Sequence, residues 1–260
     1  MKAFLALLAL LQGAGVNVDR VRIPGPNGVD LDAALLRPAE PATAPSIVAL
    51  HGCGGPFPAR DGQWAIALVK AGHVVLLPDS FGSRGLGSQC GVAERAVKPE
   101  GLRRLDAIAA AEWLKSAHGV PTGSIDLLGW SNGGSTVLEV ARAGRDLPDN
   151  LFDRFVAFYP GCPSKAEDQT WEPVGRMLIL MGEDDDWTPA APCHELASRF
   201  PTKITMIAYP GAFHDFDAPD RPVRVRGNAA TAANGQAHVG TNEPAREDAL
   251  ARVPTWLEAR

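Results

Sequence analysis

The sequence predicts an α/β protein: a mostly parallel, doubly wound sheet with helices on both faces. Three observations carry that expectation. Short apolar runs alternate with helical segments, as in strands joined by crossover helices. One such run ends in Gly129-Trp130-Ser131-Asn132-Gly133 and feeds directly into a helical stretch. The chain has 260 residues, 45% of them hydrophobic and 21% charged, which suits a single sizeable core.

The elements follow in order. Residues 21–23 and 31–36 read as an antiparallel pair around the turn Pro26-Asn27-Gly28. Residues 46–50 form a short apolar run ending in a glycine loop, as a buried strand should. Residues 63–71 are helical in pattern, and 73–77 is the next strand, stopped by Pro78-Asp79. Small and polar residues make 82–100 a long loop. A helix rich in Ala and Leu is expected over 102–118, ended by Gly119. Residues 124–128 are the strand before the serine and 135–143 the helix after it. Further strands are expected at 154–159, 177–181 and 203–209, with a helix near 190–198 and a closing helix over 243–259. The segment 227–240, rich in Ala, Gly and Asn, reads as a mobile loop. No repeat or low-complexity linker divides the chain, so residues 16–260 are expected to form one domain.

Residues 1–15 differ in kind. A short positive start, Met1-Lys2, precedes an uninterrupted apolar run from 3 to 11, then small residues at Gly13 and Gly15. This reads as a secretory signal peptide, too short for a permanent membrane span. The expected location is therefore periplasmic or secreted. Four cysteines suit an oxidising compartment. Cys53 with Cys90 and Cys162 with Cys193 are the expected pairs, because each joins two segments that follow neighbouring predicted strands. A net charge of −5 provides no footprint for nucleic acid. Arg221, Arg224 and Arg226 form a small basic cluster near Pro222 and Gly227 and read as solvated surface, the lesser alternative being that one of them meets an anionic substrate. Nothing in the sequence speaks to oligomeric state.

A strand that turns sharply into a helix around G-x-S-x-G is a nucleophile elbow. It holds a hydroxyl at the top of a sheet, beside helix N–H groups that favour negative charge. A serine hydroxyl is a weak nucleophile at neutral pH and needs an adjacent base. In such a sheet the partners follow in the order Ser, acid, His. His51, His73 and His118 precede Ser131 and drop out. His194 falls inside a predicted helix, and His238 stays open in the polar loop. His214 follows a predicted strand through Pro210-Gly211-Ala212-Phe213, which places it where the base must sit. Glu183-Asp184-Asp185-Asp186 offers four candidate acids, with Asp185 preferred and Asp186 in reserve. The backbone N–H groups of Cys53 and Asn132 are the expected oxyanion donors, Cys53 standing in the glycine loop His51-Gly52-Cys53-Gly54-Gly55. Trp64, Trp130, Trp187 and Phe213 sit on or beside these loops, where pocket lining and core packing explain them equally well. No histidine pair has zinc-type helical spacing, so no metal is expected.

These motifs, with Pro78-Asp79-Ser80-Phe81-Gly82-Ser83-Arg84-Gly85 and Tyr209-Pro210-Gly211-Ala212-Phe213-His214-Asp215-Phe216, resemble the dienelactone hydrolase family of α/β-hydrolases over nearly all of the region after residue 15. The spacing from Gly182 through Asp185 to Pro189 looks like the family's acid loop and favours Asp185. The resemblance implies an α/β-hydrolase fold and a cofactor-free hydrolase acting on small esters or lactones. It also implies a substrate-carboxylate contact near Arg84, which reads equally well as a loop arginine paired to Asp79 or another acid. The founding members carry cysteine in the elbow, whereas this chain has Ser131, as do broader esterase and lipase relatives. The expectation is thus a Ser131–His214–Asp185 esterase working through an acyl-enzyme. The alternatives are a peptidase or thioesterase on the same machinery, or a binding module that has lost catalysis.

Overall fold

A computed structural model describes residues 16–117, 120–121, 123 and 125–259. The expected signal peptide, the His118-Gly119 helix end and Ser124 of the elbow strand lie outside the described residues. The main sheet has eight strands. β1 (Val16–Pro24) pairs antiparallel with β2 (Asp30–Pro38), on either side of a 3-10 turn at Pro26–Gly28. β3 (Ser46–Leu50), β4 (Val75–Pro78), β5 (Ile125–Trp130), β6 (Phe152–Phe158), β7 (Arg176–Gly182) and β8 (Ile204–Tyr209) are parallel to one another. Strand order is β1-β2-β4-β3-β5-β6-β7-β8, with β2 antiparallel to β4. Every side chain of β3, β4 and β5 is buried, which is why those strands read as continuous apolar runs rather than alternating ones.

The helices are α1 (Pro58–Lys70), α2 (Leu102–Ser116), α3 (Asn132–Val140), α4 (Pro163–Glu167), α5 (Ala190–Arg199) and α6 (Glu243–Glu258). The connection β3–α1–β4 runs towards the β1 edge, and every later crossover runs the other way. With right-handed crossovers, that reversal puts α1 on one face and α2 on the other. Packing agrees: α1 meets α6, and α2 meets α3. The reversal also opens a crevice beyond the carboxyl ends of β3 and β5, the standard position of a site in an open α/β sheet.

Helix starts differ from the sequence reading. α1 begins at Pro58 rather than 63, because Pro58 at the first turn and Asp61 near the N-terminus favour helix initiation there. α3 begins at Asn132 rather than 135, since two elbow glycines are pulled into the first turn. The 227–240 segment is not a plain loop. β9 (Arg224–Gly227) and β10 (Gln236–Val239) pair as an antiparallel hairpin beside the main sheet. Its anchor is tertiary: Val239 bridges to His214, and the Gly240 N–H donates to the His214 carbonyl at 3.0 Å. Local composition contains no trace of that partner.

Candidate active site

Ser131 sits at φ 53°, ψ −116°, a left-handed conformation that side chains rarely adopt. Its neighbours make the turn sterically feasible. A Cβ on Gly129 would lie 2.5 Å from the Gly133 backbone, and one on Gly133 would collide with the Leu50 carbonyl oxygen. Both positions therefore need glycine because of close approach. The strained turn sets Ser131 at the start of α3, on the wall of a cavity.

Two loops bring partners to that oxygen. His214, four residues beyond Pro210 at the end of β8, places Nε2 2.9 Å from Ser131 Oγ. Its Nδ1 lies 2.7 Å from Asp185 Oδ2, in the loop after β7. The neutral ring donates from Nδ1 to Asp185 and accepts the serine proton at Nε2. Asp185 is itself held: Oδ1 accepts the N–H groups of Trp187 at 2.9 Å and Thr188 at 2.8 Å, and Oδ2 accepts the Thr188 hydroxyl at 2.9 Å. All three residues are buried. Burial opposes the charged imidazole, but the charge and hydrogen bond of Asp185 outweigh it and hold the His214 pKa above its usual range.

The glycine loop after β3 lies alongside. Cys53 and Cys90 are joined in a disulfide, as are Cys162 and Cys193. Among the described residues, the backbone N–H groups of Cys53 and Asn132 donate to no backbone carbonyl. Both residues are in the wall around Ser131. His51 is neutral, because burial, and next the positive charge of Arg103, push its pKa well down. It donates from Nδ1 to the Gly52 carbonyl at 2.7 Å and accepts the Ser80 N–H on Nε2 at 3.1 Å. It shapes the loop and is turned away from the base role.

Beneath the site, buried Asp217 accepts from Tyr159 Oη at 2.6 Å, Trp64 Nε1 at 2.7 Å and Trp130 Nε1 at 2.9 Å. It fastens the loop carrying His214 to the elbow strand. Trp64 and Trp130 are accordingly core residues. Trp187 lines the cavity beside Ser131 and His214, and Phe213 packs against His238. Sequence reasoning missed Asp217, Tyr159 and Thr188, since a buried polar hub has no linear spacing.

A cavity of about 260 Å³ opens over Ser131 and His214. Arg60, Arg221, Arg224 and Arg226 line it. Arg60 is neutralised by Asp61 at 2.8 Å and Asp215 at 3.4 Å. Among the described residues, the other three have no carboxylate within ion-pair reach. The basic cluster, with Arg221 and Arg224 exposed and Arg226 half-buried, thus forms the rim of the site. Arg84 is the converse case: of its two readings, the structure shows the pair with an acid. Its guanidinium grips buried Asp106 at 2.7 and 2.8 Å and donates to the Ser80 carbonyl at 2.7 Å, and it does not border the cavity. A fork-to-fork pair to a desolvated carboxylate is too good an arrangement to leave for a ligand.

The strand order and the serine elbow define this as an α/β-hydrolase. The chain belongs to the dienelactone hydrolase family, whose family model matches residues 31–260. Membership places it among the hydrolases. No curated protein matches it in sequence. Solved structures share the fold at low identity. One, described as a dienelactone hydrolase candidate from Klebsiella pneumoniae, superposes with a TM-score of 0.69 at 16% identity, covering 94% of this chain and 99% of that one. A Pyrobaculum calidifontis esterase gives 0.66 at 18% identity, over 98% of this chain and 90% of that one. A Mycobacterium tuberculosis puromycin-hydrolyzing peptidase gives 0.60 at 18% identity, over 78% of this chain and 36% of that one.

Proposed function

We propose that residues 16–260 form one catalytic domain that hydrolyses carboxylic esters or lactones, with Ser131 as nucleophile. The observation that carries this is the pair of contacts on His214, 2.9 Å to Ser131 Oγ and 2.7 Å to Asp185. Ser131 Oγ attacks the carbonyl carbon while its proton passes to His214 Nε2. Asp185 stabilises the imidazolium and fixes the ring. The oxyanion is held by the N–H groups of Cys53 and Asn132, each worth about 2.7–4 kcal/mol of transition-state stabilisation. The C–O bond then breaks, His214 protonates the departing alkoxide, and the acyl-enzyme remains. Water, deprotonated by His214, attacks the acyl carbon and releases the acid with the serine restored.

The uncompensated arginines at the rim support a substrate with a negatively charged group beyond the scissile bond. Two disulfides support an oxidising location, periplasmic or secreted. The test compares p-nitrophenyl acetate, a carboxylate-bearing aryl ester, a lactone and a peptide anilide, with Ser131→Ala as control. Ester or lactone turnover lost in Ser131→Ala supports the reading. Turnover of the anilide alone would make it a peptidase. A folded wild type that neither turns over substrate nor reacts with a fluorophosphonate would make it a binding module.

A further inference from the structure

Arg103 is an unusual cation. It sits in the first turn of α2, where the helix dipole disfavours positive charge, yet it is 1% exposed. Its guanidinium makes no ion pair among the described residues. Asp106, the first acid to act on it, is occupied by Arg84 at 2.7 Å. Asp79, the next, accepts the N–H groups of Phe81 at 3.1 Å and Gly82 at 2.7 Å. Instead, Arg103 donates from one terminal nitrogen to Asn132 Oδ1 at 2.6 Å and from the other to the His51 carbonyl at 2.8 Å. Phe81 packs under it, with its ring centroid 4.9 Å from the guanidinium carbon.

Those two acceptors belong to the two segments that carry the proposed oxyanion donors. Asn132 supplies one N–H itself, and His51 lies two residues before Cys53. We propose that Arg103 is a positioning residue of the oxyanion site: its rigid fork sets the glycine loop against the elbow, and its buried charge favours the developing oxyanion. A planar guanidinium can bridge two fixed neutral oxygens, whereas an ammonium on a flexible stem reaches them as a single point. Its hydrogen bonds go to neutral oxygens, and Asp106 and Asp79 act on it only through space, so part of its field is left for the elbow. The arrangement places unpaired positive charge behind the site in a region that excludes water, where such preorganised charge acts most strongly.

This inference rests on the esterase reading, and the experiment separates the two. The substrate is a carboxylic ester that the wild type turns over. Arg103→Lys and Asn132→Ala, singly and together, are compared for kcat, KM and inhibition by a trifluoromethyl ketone, which adds to the serine as an oxyanion. The expected result is a fall in kcat of about 10- to 100-fold in each single variant with KM nearly unchanged. Ketone affinity should weaken by the same factor, and the double variant should be little worse than either single one. A change in KM alone, undiminished ketone affinity, or fully additive losses would overturn it. Should Arg103→Lys fail to fold, Asn132→Ala alone decides, because wild-type kcat in that variant removes the link. A wild type without ester turnover refutes the esterase reading; an active wild type with insensitive variants refutes only the role of Arg103.

Discussion

Asp186 and His238 form a second carboxylate–imidazole pair, 2.7 Å apart, one residue along from the pair that faces Ser131. Asp186 also accepts the His238 N–H at 2.8 Å. Both side chains are exposed, and the pair ties β10 to the acid loop. Two neighbouring aspartates therefore do different things: Asp185 turns inward to His214, and Asp186 turns outward to the hairpin. Asp185→Asn is expected to lower kcat by about 10³- to 10⁴-fold, because the amide no longer holds the ring in its working tautomer. Asp186→Asn should lower it less than about tenfold. Equal losses in steady-state ester hydrolysis would count against the assignment.

The pH dependence follows from the state of His214. Only the neutral ring can take the serine proton. Because Asp185 raises its pKa, kcat/KM should fall on acidification with a midpoint above the ordinary histidine value of about 6.5. The same shift stabilises the fold fully below that ordinary value, and the contribution disappears as pH rises through the folded-state pKa. A pH–rate profile that stays flat down to pH 5 would be incompatible with His214 as base.

Asp126 lies buried on β5, and burial, opposed by Arg154, raises its pKa to about 7. The unfolded chain ionises this group near pH 3.9, as a free aspartate does. Between the two values the native state binds the extra proton, so stability falls as pH rises from about 4 to about 7. Asp126→Asn should therefore stabilise the protein more at pH 8 than at pH 4.5. Urea unfolding at both pH values reads this directly; the same difference at each would refute it.

The Cys53–Cys90 bond ties the glycine loop to the 82–100 loop, packed with Trp187, Ala229 and Val239. Replacing both cysteines by serine should cost about 2–5 kcal/mol of stability. It should also depress kcat, since Cys53 would carry an oxyanion donor on a freed loop. Removing the Cys162–Cys193 bond should lower the melting temperature with a much smaller loss of kcat. Undiminished kcat in the folded Cys53→Ser, Cys90→Ser variant would show that the glycine loop does not need its staple.

The Arg224→Ala and Arg226→Ala variants test the rim. Each should raise KM for a carboxylate-bearing ester several-fold while leaving p-nitrophenyl acetate hydrolysis close to wild type. Added salt should weaken the same discrimination. Equal effects on charged and neutral esters would place these side chains in general packing instead.

The amino-acid order by itself determined the sheet-and-helix alternation, because fully buried parallel strands must be mostly apolar. It also marked the elbow, through its glycines between a strand and a helix, although the clash that demands Gly133 comes from Leu50 on a neighbouring strand, and it narrowed the histidine through chain order and turn position. The cysteine partners were legible from which strand ends are neighbours. Distance decided the rest. Among the four acids, the family-like spacing favoured Asp185, but which carboxylate meets His214 depends on side-chain direction around one turn, which residue pattern alone does not carry. Arg84 and Arg224 look alike in a sequence; burial beside Asp106 occupied the first, and a hairpin anchored to His214 brought the second to the cavity. Hydrogen bonds and ion pairs between residues far apart in the chain form only after the fold has set their separation, so only the tertiary structure could assign them.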